Sequence, residues 1–501
     1  MKKINIYIVL LGIMLSSCEE FLTITPETDL SSSTFYRTES DFEQAVNATY
    51  APMRTIADNR SWLLCEMRSD NTIYARNINF GATEQQEDIS DHALPDAQGI
   101  VANTHVLNQY RQDYLIIARA NQILDVIDDV EFNQANKDNL KGQALFLRGY
   151  AYYELARYFG GVPLHLTPVT ARDEAALPIT PEAEIYNQLI SDIQAAISLL
   201  PVRSNQGVGR ASKGAAQMLL ADVYITQKKW AEAETLLRAI VSSGEYELVE
   251  NYEDVFSESV GNKNNKESLF EVQYLEGPEG LNGNFLYSFM PRPMSLTELQ
   301  PISGTSNPQP LDGEGNNIPT PDMIAAYEDG DLREDASIAY VEISGSDRDD
   351  KVYPYIKKYA KAHSLHFNHG MNWPIYRYSE VLLFMAEALN EQGKTSEAAG
   401  FLNEIRERAG LASTTASSQT EMREAIFKER RVELAFENKR WFDIVRAGRV
   451  QEIIGAFGQR ALANPLDYYY PEGATFRSNA FTNITTYYAL PADEAEITPH
   501  F

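Results

Sequence analysis

The chain has 501 residues, with 43 Lys and Arg against 71 Asp and Glu, for a formal net charge of −28. At 44% hydrophobic and 23% charged it reads as folded protein, long enough for one large or two to three ordinary domains. The charge excludes general attraction to phosphate backbones, so nucleic acid is not an expected partner, nor is an anionic lipid surface held by protein charge.

The first residues read MKKINIYIVLLGIMLSSC. Lys2 and Lys3 form a basic start, and Ile4 to Leu15 form an apolar run too short to span a bilayer as a helix. Leu15-Ser16-Ser17-Cys18 then fits a lipobox. Residues 1–17 are expected to be a lipoprotein signal peptide, with Cys18 the acylated first residue of the mature chain. The plain alternative is an ordinary secretory signal with an incidental cysteine; the whole arrangement, basic start, apolar run and small residues before a cysteine, is specific to the lipoprotein reading. Several acyl chains anchor a protein stably, at ~0.8 kcal/mol per buried methylene. Residues 18–34 read as an extended tether, and Glu19-Glu20 resemble the export signal of surface lipoproteins. No other segment is apolar enough to span a membrane. Cys65 is left alone and reads as a buried thiol.

Helical patterns then follow. Ser40-x-x-Glu43 reads as a capping box before Phe42, Val46, Thr49, Tyr50 and Met53. Residues 71–104 show no period. Helices are predicted near 106–130 and 137–159. Another follows Thr180-Pro181, with Ile185, Leu189, Ile193, Ala196 and Leu200 on its buried face and Pro201 as its stop. Helix hairpins are predicted over 211–243 and 376–409, and Ser418-x-x-Glu421 caps a helical stretch to about 447. Between the hairpins, 245–372 is rich in Gly, Pro and Asn, with strand-like runs at 269–274 and 352–359. The last 40 residues are irregular and aromatic.

The two hairpins repeat. Ala221, Tyr224, Ala233 and Leu237 share their spacing with Ala386, Leu389, Ala398 and Leu402. That spacing resembles a tetratricopeptide unit, in which small residues let paired helices approach closely. Gly149 and Tyr152 could open an earlier unit whose second helix is 183–200, and 421 onward could be a fourth. The predicted fold is mainly α: about four tetratricopeptide-like hairpins as a scaffold, 35–244 and 373–450. A large irregular part with short strands, 245–372 plus 451–501, packs on it within one domain, 35–501.

Catalytic and cofactor signals are weak. Ala388-LNEQ-Gly393-Lys394-Thr395 fits a loose phosphate loop but follows an amphipathic helix rather than a strand, so it reads as an inter-helix turn. His363, His366 and His369 have the residue type for zinc, yet the surroundings suggest a polar loop and no neighbouring carboxylate orients a ring. A zinc hydrolase therefore stands as an outlying alternative, and no metal, cofactor or catalytic residue is assigned. In KERRVELAFENKRWFDIVRAGR, 428–449, acidic and basic residues interleave. This predicts an ion-pair network locking the segment onto the scaffold, with Asp443 near Arg440 and Arg446, and Trp441 and Phe442 as core anchors.

That same run, ELAFENKRWFDIVRAG, resembles the signature of the SusD/RagB family of outer-membrane lipoproteins. EEFLTITPE after the lipobox, ALFLRGYAYYELARYFGGVPL, LLADVYITQKKWAEAETLLRAIVSSGEYEL, WPIYRYSEVLLFMAEALNE and the terminal YYALPADEAEI resemble family segments in order. The resemblance implies a lipid-anchored protein on the outer face of the outer membrane. It would bind a nutrient glycan and deliver it to a TonB-dependent, SusC-like transporter, without catalysis; a peptide ligand is the alternative within the family. It also points to aromatics in the loop 71–104 and in the irregular part as ligand contacts. The candidates are Tyr74, Asn77, Phe80, Tyr287 and Phe289, with Asn79 and His92 in the same loop. Because that loop has no tryptophan, a starch-type aromatic arc is not expected.

Overall fold

The computed structural model describes residues 35–58, 61–76, 84–94, 96–97, 100–256, 263–311, 315–343, 351–473 and 475–497. The signal, Cys18 and the tether lie outside the described residues. Among the described residues no helix is long and apolar enough to cross a membrane.

The scaffold is a succession of helices. They are α1 (Glu39–Asp58), α2 (Thr104–Val126), α3 (Gln134–Phe159), α4 (Glu182–Leu199), α5 (Lys213–Thr226) and α6 (Trp230–Ser243). After a long interval come α7 (Tyr378–Glu391), α8 (Thr395–Arg408), α9 (Gln419–Glu433), α10 (Arg440–Arg446) and α11 (Val450–Ala463). Each packs on the next from α1 to α6, then α6 on α7 and α7 on both α8 and α9. Small residues set the approach. Ala221, Ala233, Ala386 and Ala398 are all fully buried, which bears out the repeat spacing. A Cβ on Gly149 of α3 would sit 2.7 Å from Ile193 Cγ1 of α4, closer than real side chains come, so the glycine fixes how near these helices lie.

Several ends follow the sequence. Ser418 Oγ accepts from the Glu421 N–H while the Glu421 carboxylate accepts from the Ser418 N–H, the predicted capping box of α9. Two expectations shift. The box opening α1 is Thr38 with Asp41, because the Asp41 carboxylate accepts from the Thr38 N–H at 2.8 Å, and Ser40 lies inside the helix. Pro181 sits one residue before α4 rather than in its first turn.

Short strands hold the irregular part. They are β1 (Thr72–Ala75), β2 (Ser268–Val272), β3 (Gly315–Pro319), β4 (Ile338–Ile343), β5 (Lys351–Ile356) and β6 (Trp373–Arg377). β4 and β5 form an antiparallel hairpin, and β1 pairs antiparallel with β3, Thr72 facing Pro319. β2 pairs antiparallel with β6, Ser268 facing Arg377. This last pair joins the two ends of the stretch between α6 and α7, so the chain returns to its point of departure and the helix array resumes. The segment after 450, expected to be irregular, begins with α11, because Ile454, Phe457 and Ala461 give it one buried face.

The stretch 419–446, expected to be one helix, is broken by a turn over 434–439 with positive φ at Phe436 and Asn438. The turn brings Glu433, the last residue of α9, and Glu437, within the turn, onto basic side chains of other elements. Glu433 accepts from Arg333 Nη1 at 3.2 Å, from Arg377 Nη1 at 3.1 Å and from Arg408. Glu437 accepts from Arg377 Nε at 2.7 Å and Lys358 Nζ at 2.8 Å. Burial alone would raise the Glu433 carboxyl; Arg408, Arg377 and Arg333 overcome it and hold the group well below the usual carboxylate range. The predicted network is therefore present, with Trp441 and Phe442 buried. One pairing differs. Asp443 bonds Arg446 and Arg430, whereas Arg440 reaches Asp70, just before β1.

Candidate functional site

The expected ligand-contacting residues separate into two groups. Asn77 and Phe80, with Asn79, lie outside the described residues. Tyr74, Tyr287 and Phe289 are buried, at 1%, 1% and 0% exposure. Tyr74 lies in β1, and Phe289 packs edge-on against Trp62 with ring centroids 5.0 Å apart. The Tyr287 hydroxyl meets His363 Nε2 at 2.6 Å, and its ring lies against His366. Rings enclosed in this way have no free face on which a sugar could stack.

Two of the histidines, His363 and His366, pack on Tyr287, and His369 lies against His363 and Phe285. His363 Nδ1 lies 2.9 Å from the Lys361 carbonyl, which fixes the proton on that nitrogen. The Nε2 lone pair then accepts from the Tyr287 O–H. His369 Nδ1 accepts from the Met371 N–H, and burial lowers its pKa to about 3. Among the described residues no group of His, Cys, Asp and Glu has a metal-holding arrangement. The phosphate-loop pattern is an inter-helix turn, as read. Gly393 has φ +77° and Lys394 Nζ donates to Glu234 Oε2 of α6 at 2.7 Å.

Large rings exposed among the described residues include Tyr340, Phe367 and Tyr487. Tyr487 borders a cavity of about 240 Å³. Its floor is Arg68, Ile89, His92, Val101 and Tyr488, all buried; its rim is Asn483, Thr485 and Tyr487, all exposed. Three parts of the chain build it. The turn after the short helix Ser61–Cys65 supplies Arg68, and the loop 71–104 supplies Ile89 and His92. The C-terminal run supplies the rim and pairs its short strand Leu490–Pro491 with Ile100–Val101.

Hydrogen bonds hold the rim in place. The Tyr487 hydroxyl donates to the Glu182 carboxylate at 3.1 Å, and its ring passes 3.5 Å from where a Cβ on Gly160 would stand. The Tyr488 hydroxyl donates to the Leu64 carbonyl at 3.1 Å. His92 Nε2 lies 2.9 Å from the Arg68 carbonyl; burial and the Arg68 charge lower its pKa to about 3, so it is neutral. A ring face, an amide and a guanidinium around an open cavity are the groups that recognise a polar, ring-shaped ligand. Of these residues, His92 lies in the loop pointed to by the resemblance, and Tyr487-Tyr488 opens the terminal segment that carries it. Arg68 has no sequence signal, because its partner Thr485 is 417 positions away.

Comparison with known proteins places this arrangement in a family. Residues 346–499 match the profile of the SusD family, and residues 20–225 match one described as starch-binding, associating with the outer membrane. "SusD-like protein P2" of Formosa agariphila is 28% identical, with 91% of this chain and 93% of that protein covered. Two solved structures share the fold. A "laminarin binding SusD-like protein" has a TM-score of 0.74 at 23% identity, covering 92% of this chain and 98% of that one. Surface glycan-binding protein A from Bacteroides thetaiotaomicron, in complex with laminarihexaose, has a TM-score of 0.72 at 20% identity, covering 91% and 97%. The profile matches fall at the two ends of the helix array, and the shared fold runs through everything between them; the chain belongs to the SusD/RagB family.

Proposed function

We propose that the protein is a lipid-anchored lipoprotein of the outer membrane, facing the exterior, that binds a glycan and passes it to a TonB-dependent, SusC-like transporter. The observation that carries the binding role is the Tyr487 cavity, an exposed ring and the Asn483 amide standing over a floor that mixes Arg68 and His92 with Ile89 and Val101. Sugars present an apolar ring face and a hydroxyl edge, and this pairing suits both. Relatives named for binding laminarin or surface glycans support the ligand class. The family description that names the outer membrane supports the location, and the lipobox cysteine supplies the anchor. The role is capture rather than catalysis, and oligopeptides serve as the control ligand.

Calorimetric titration of the purified protein against a broad panel of neutral and acidic glycans tests the binding. One glycan class should bind, and Tyr487→Ala should weaken it by about tenfold, ~1.4 kcal/mol. Binding of oligopeptides with no glycan response refutes the reading. Cross-linking in native membranes should join the protein to a TonB-dependent barrel, and recovery of the uncrosslinked protein alone counts against delivery.

A further inference from the structure

The floor of the Tyr487 cavity holds a buried cation with no counter-ion among the described residues. Arg68 is 2% exposed. Its guanidinium lies between two rings, 3.8 Å from the Tyr488 centroid and 4.7 Å from that of Trp441. Nη2 donates to the Thr485 carbonyl at 2.7 Å and to its hydroxyl at 3.0 Å. Arg68 lines the cavity, and its Nε and Nη1, enclosed in the protein, have no acceptor, which leaves three N–H groups unmatched.

Other buried arginines of this chain are treated differently. Arg148 holds Asp192, Arg333 holds Asp331, Arg377 holds Glu437, Arg430 holds Asp443 and Arg440 holds Asp70. The chain carries 71 acidic residues, yet none makes an ion pair with Arg68 among the described residues. A guanidinium stays charged, and burying one without a partner is costly. Ring stacking and Thr485 recover part of that cost and leave the Nε and Nη1 hydrogens unmatched beside the cavity that Arg68 lines. The neighbouring His92 is neutral, no acidic residue among the described residues lines the cavity, and Glu182 accepts from the rim hydroxyl of Tyr487.

Two other cavities hold no fully buried, unmatched guanidinium. One near α1, about 340 Å³, is lined by Arg54, which is only half-buried, and by Arg210, which donates to Gln143 and Asn47. One between α7 and α9, about 230 Å³, is lined by Arg423, Arg446 and Arg449, and each is paired with a glutamate. The Arg68 cavity would hold about eight waters at ~30 Å³ each, which is room for one substituted sugar ring.

We infer that this cavity is an anion-recognising subsite, in which Arg68 takes the carboxylate or sulfate substituent of an acidic sugar whose ring rests on Tyr487. The inference rests on the glycan reading above and narrows its ligand to acidic glycans. The occupant supplies the counter-charge that the protein omits, and a neutral sugar leaves the cation unmatched.

The test is calorimetric titration of the purified protein with an oligouronate, its carboxyl-reduced neutral counterpart and a sulfated oligosaccharide. One acidic ligand should bind at least 100-fold more tightly than the neutral counterpart, and which one identifies the anion. Arg68→Gln should weaken that ligand by about 100-fold. Equal affinity for charged and neutral forms overturns the inference, as does an Arg68→Gln affinity within threefold of the original. Should Arg68→Gln fail to fold, the charged-against-neutral comparison on the unaltered protein decides alone. Neutral glycans binding through Tyr487 without an acidic preference would sink this inference and leave the glycan reading standing; silence across the whole panel would sink both.

Discussion

Asp70 ties the segment before β1 to the signature run, and replacing it with asparagine isolates that tie. The Asp70 carboxylate accepts from Arg440 Nε at 2.7 Å and Nη2 at 3.0 Å, and pairs with Arg431 Nη2 at 3.0 Å. Asp70 is 3% exposed and Arg440 5%. Asp70→Asn keeps the volume and removes the charge, which leaves buried guanidinium groups without their counter-ion. Breaking a buried pair from one side costs about 3–5 kcal/mol. The pH dependence gives a second reading of the same contact. Burial alone would raise the Asp70 pKa, but Arg440 and Arg431 lower it from 3.8 to about 2. That depression contributes about 2 kcal/mol, present above pH 3.8 and lost as pH falls through about 2. Urea unfolding followed by tryptophan fluorescence measures both, since Trp441 is buried beside Arg440. The variant should lose about 3–5 kcal/mol at pH 7, and the gap to the original should narrow by about 2 kcal/mol between pH 5 and pH 2. A loss under about 1 kcal/mol, or a gap that does not change with acid, refutes the reasoning.

Two further changes probe the scaffold. Gly149→Val places a side chain where Ile193 Cγ1 already stands, so α3 and α4 must separate; thermal unfolding should show a loss of about 1–3 kcal/mol, partly restored by Ile193→Ala in the same chain. Cys65 is fully buried, and burial raises its thiol well above the usual range, so a thiol-directed reagent followed by mass spectrometry should modify it only after unfolding. Rapid labelling of the native protein would show that the site is open.

The helices were legible because each carries a local signal. Ile185, Leu189, Ile193 and Ala196 mark a face four residues at a time, and Ser418 with Glu421 announces a start. The ion-pair network was legible as composition but not as partners. Asp443 and Arg440 are three apart in sequence, yet Arg440 turns to Asp70, 370 positions away, because the break over 434–439 redirects it. Ligand candidates drawn from flexible-looking, glycine-rich context met the opposite fate. Tyr287 and Phe289 stand among Gly and Pro but pack against histidines and Trp62, since a long insertion needs a core of its own. The cavity was illegible for a related reason. Its floor and rim, Arg68 and Thr485, meet only when the C-terminal run lies back across the first loop.

The antiparallel pair of β2 and β6 has a consequence for how the molecule folds. The α5–α6 and α7–α8 hairpins close over turns of a few residues, but α6 meets α7 only after the stretch 244–377 has been drawn into a loop. Relative to a four-residue turn this is about five doublings of loop length, or ~3 kcal/mol of additional closure entropy. The hairpins are therefore expected to form early and independently, and the docking of α7 on α6 to come late, once the Ser268–Arg377 register has zipped. A chain interrupted anywhere inside that stretch would still hold both hairpins and lose the seam between them.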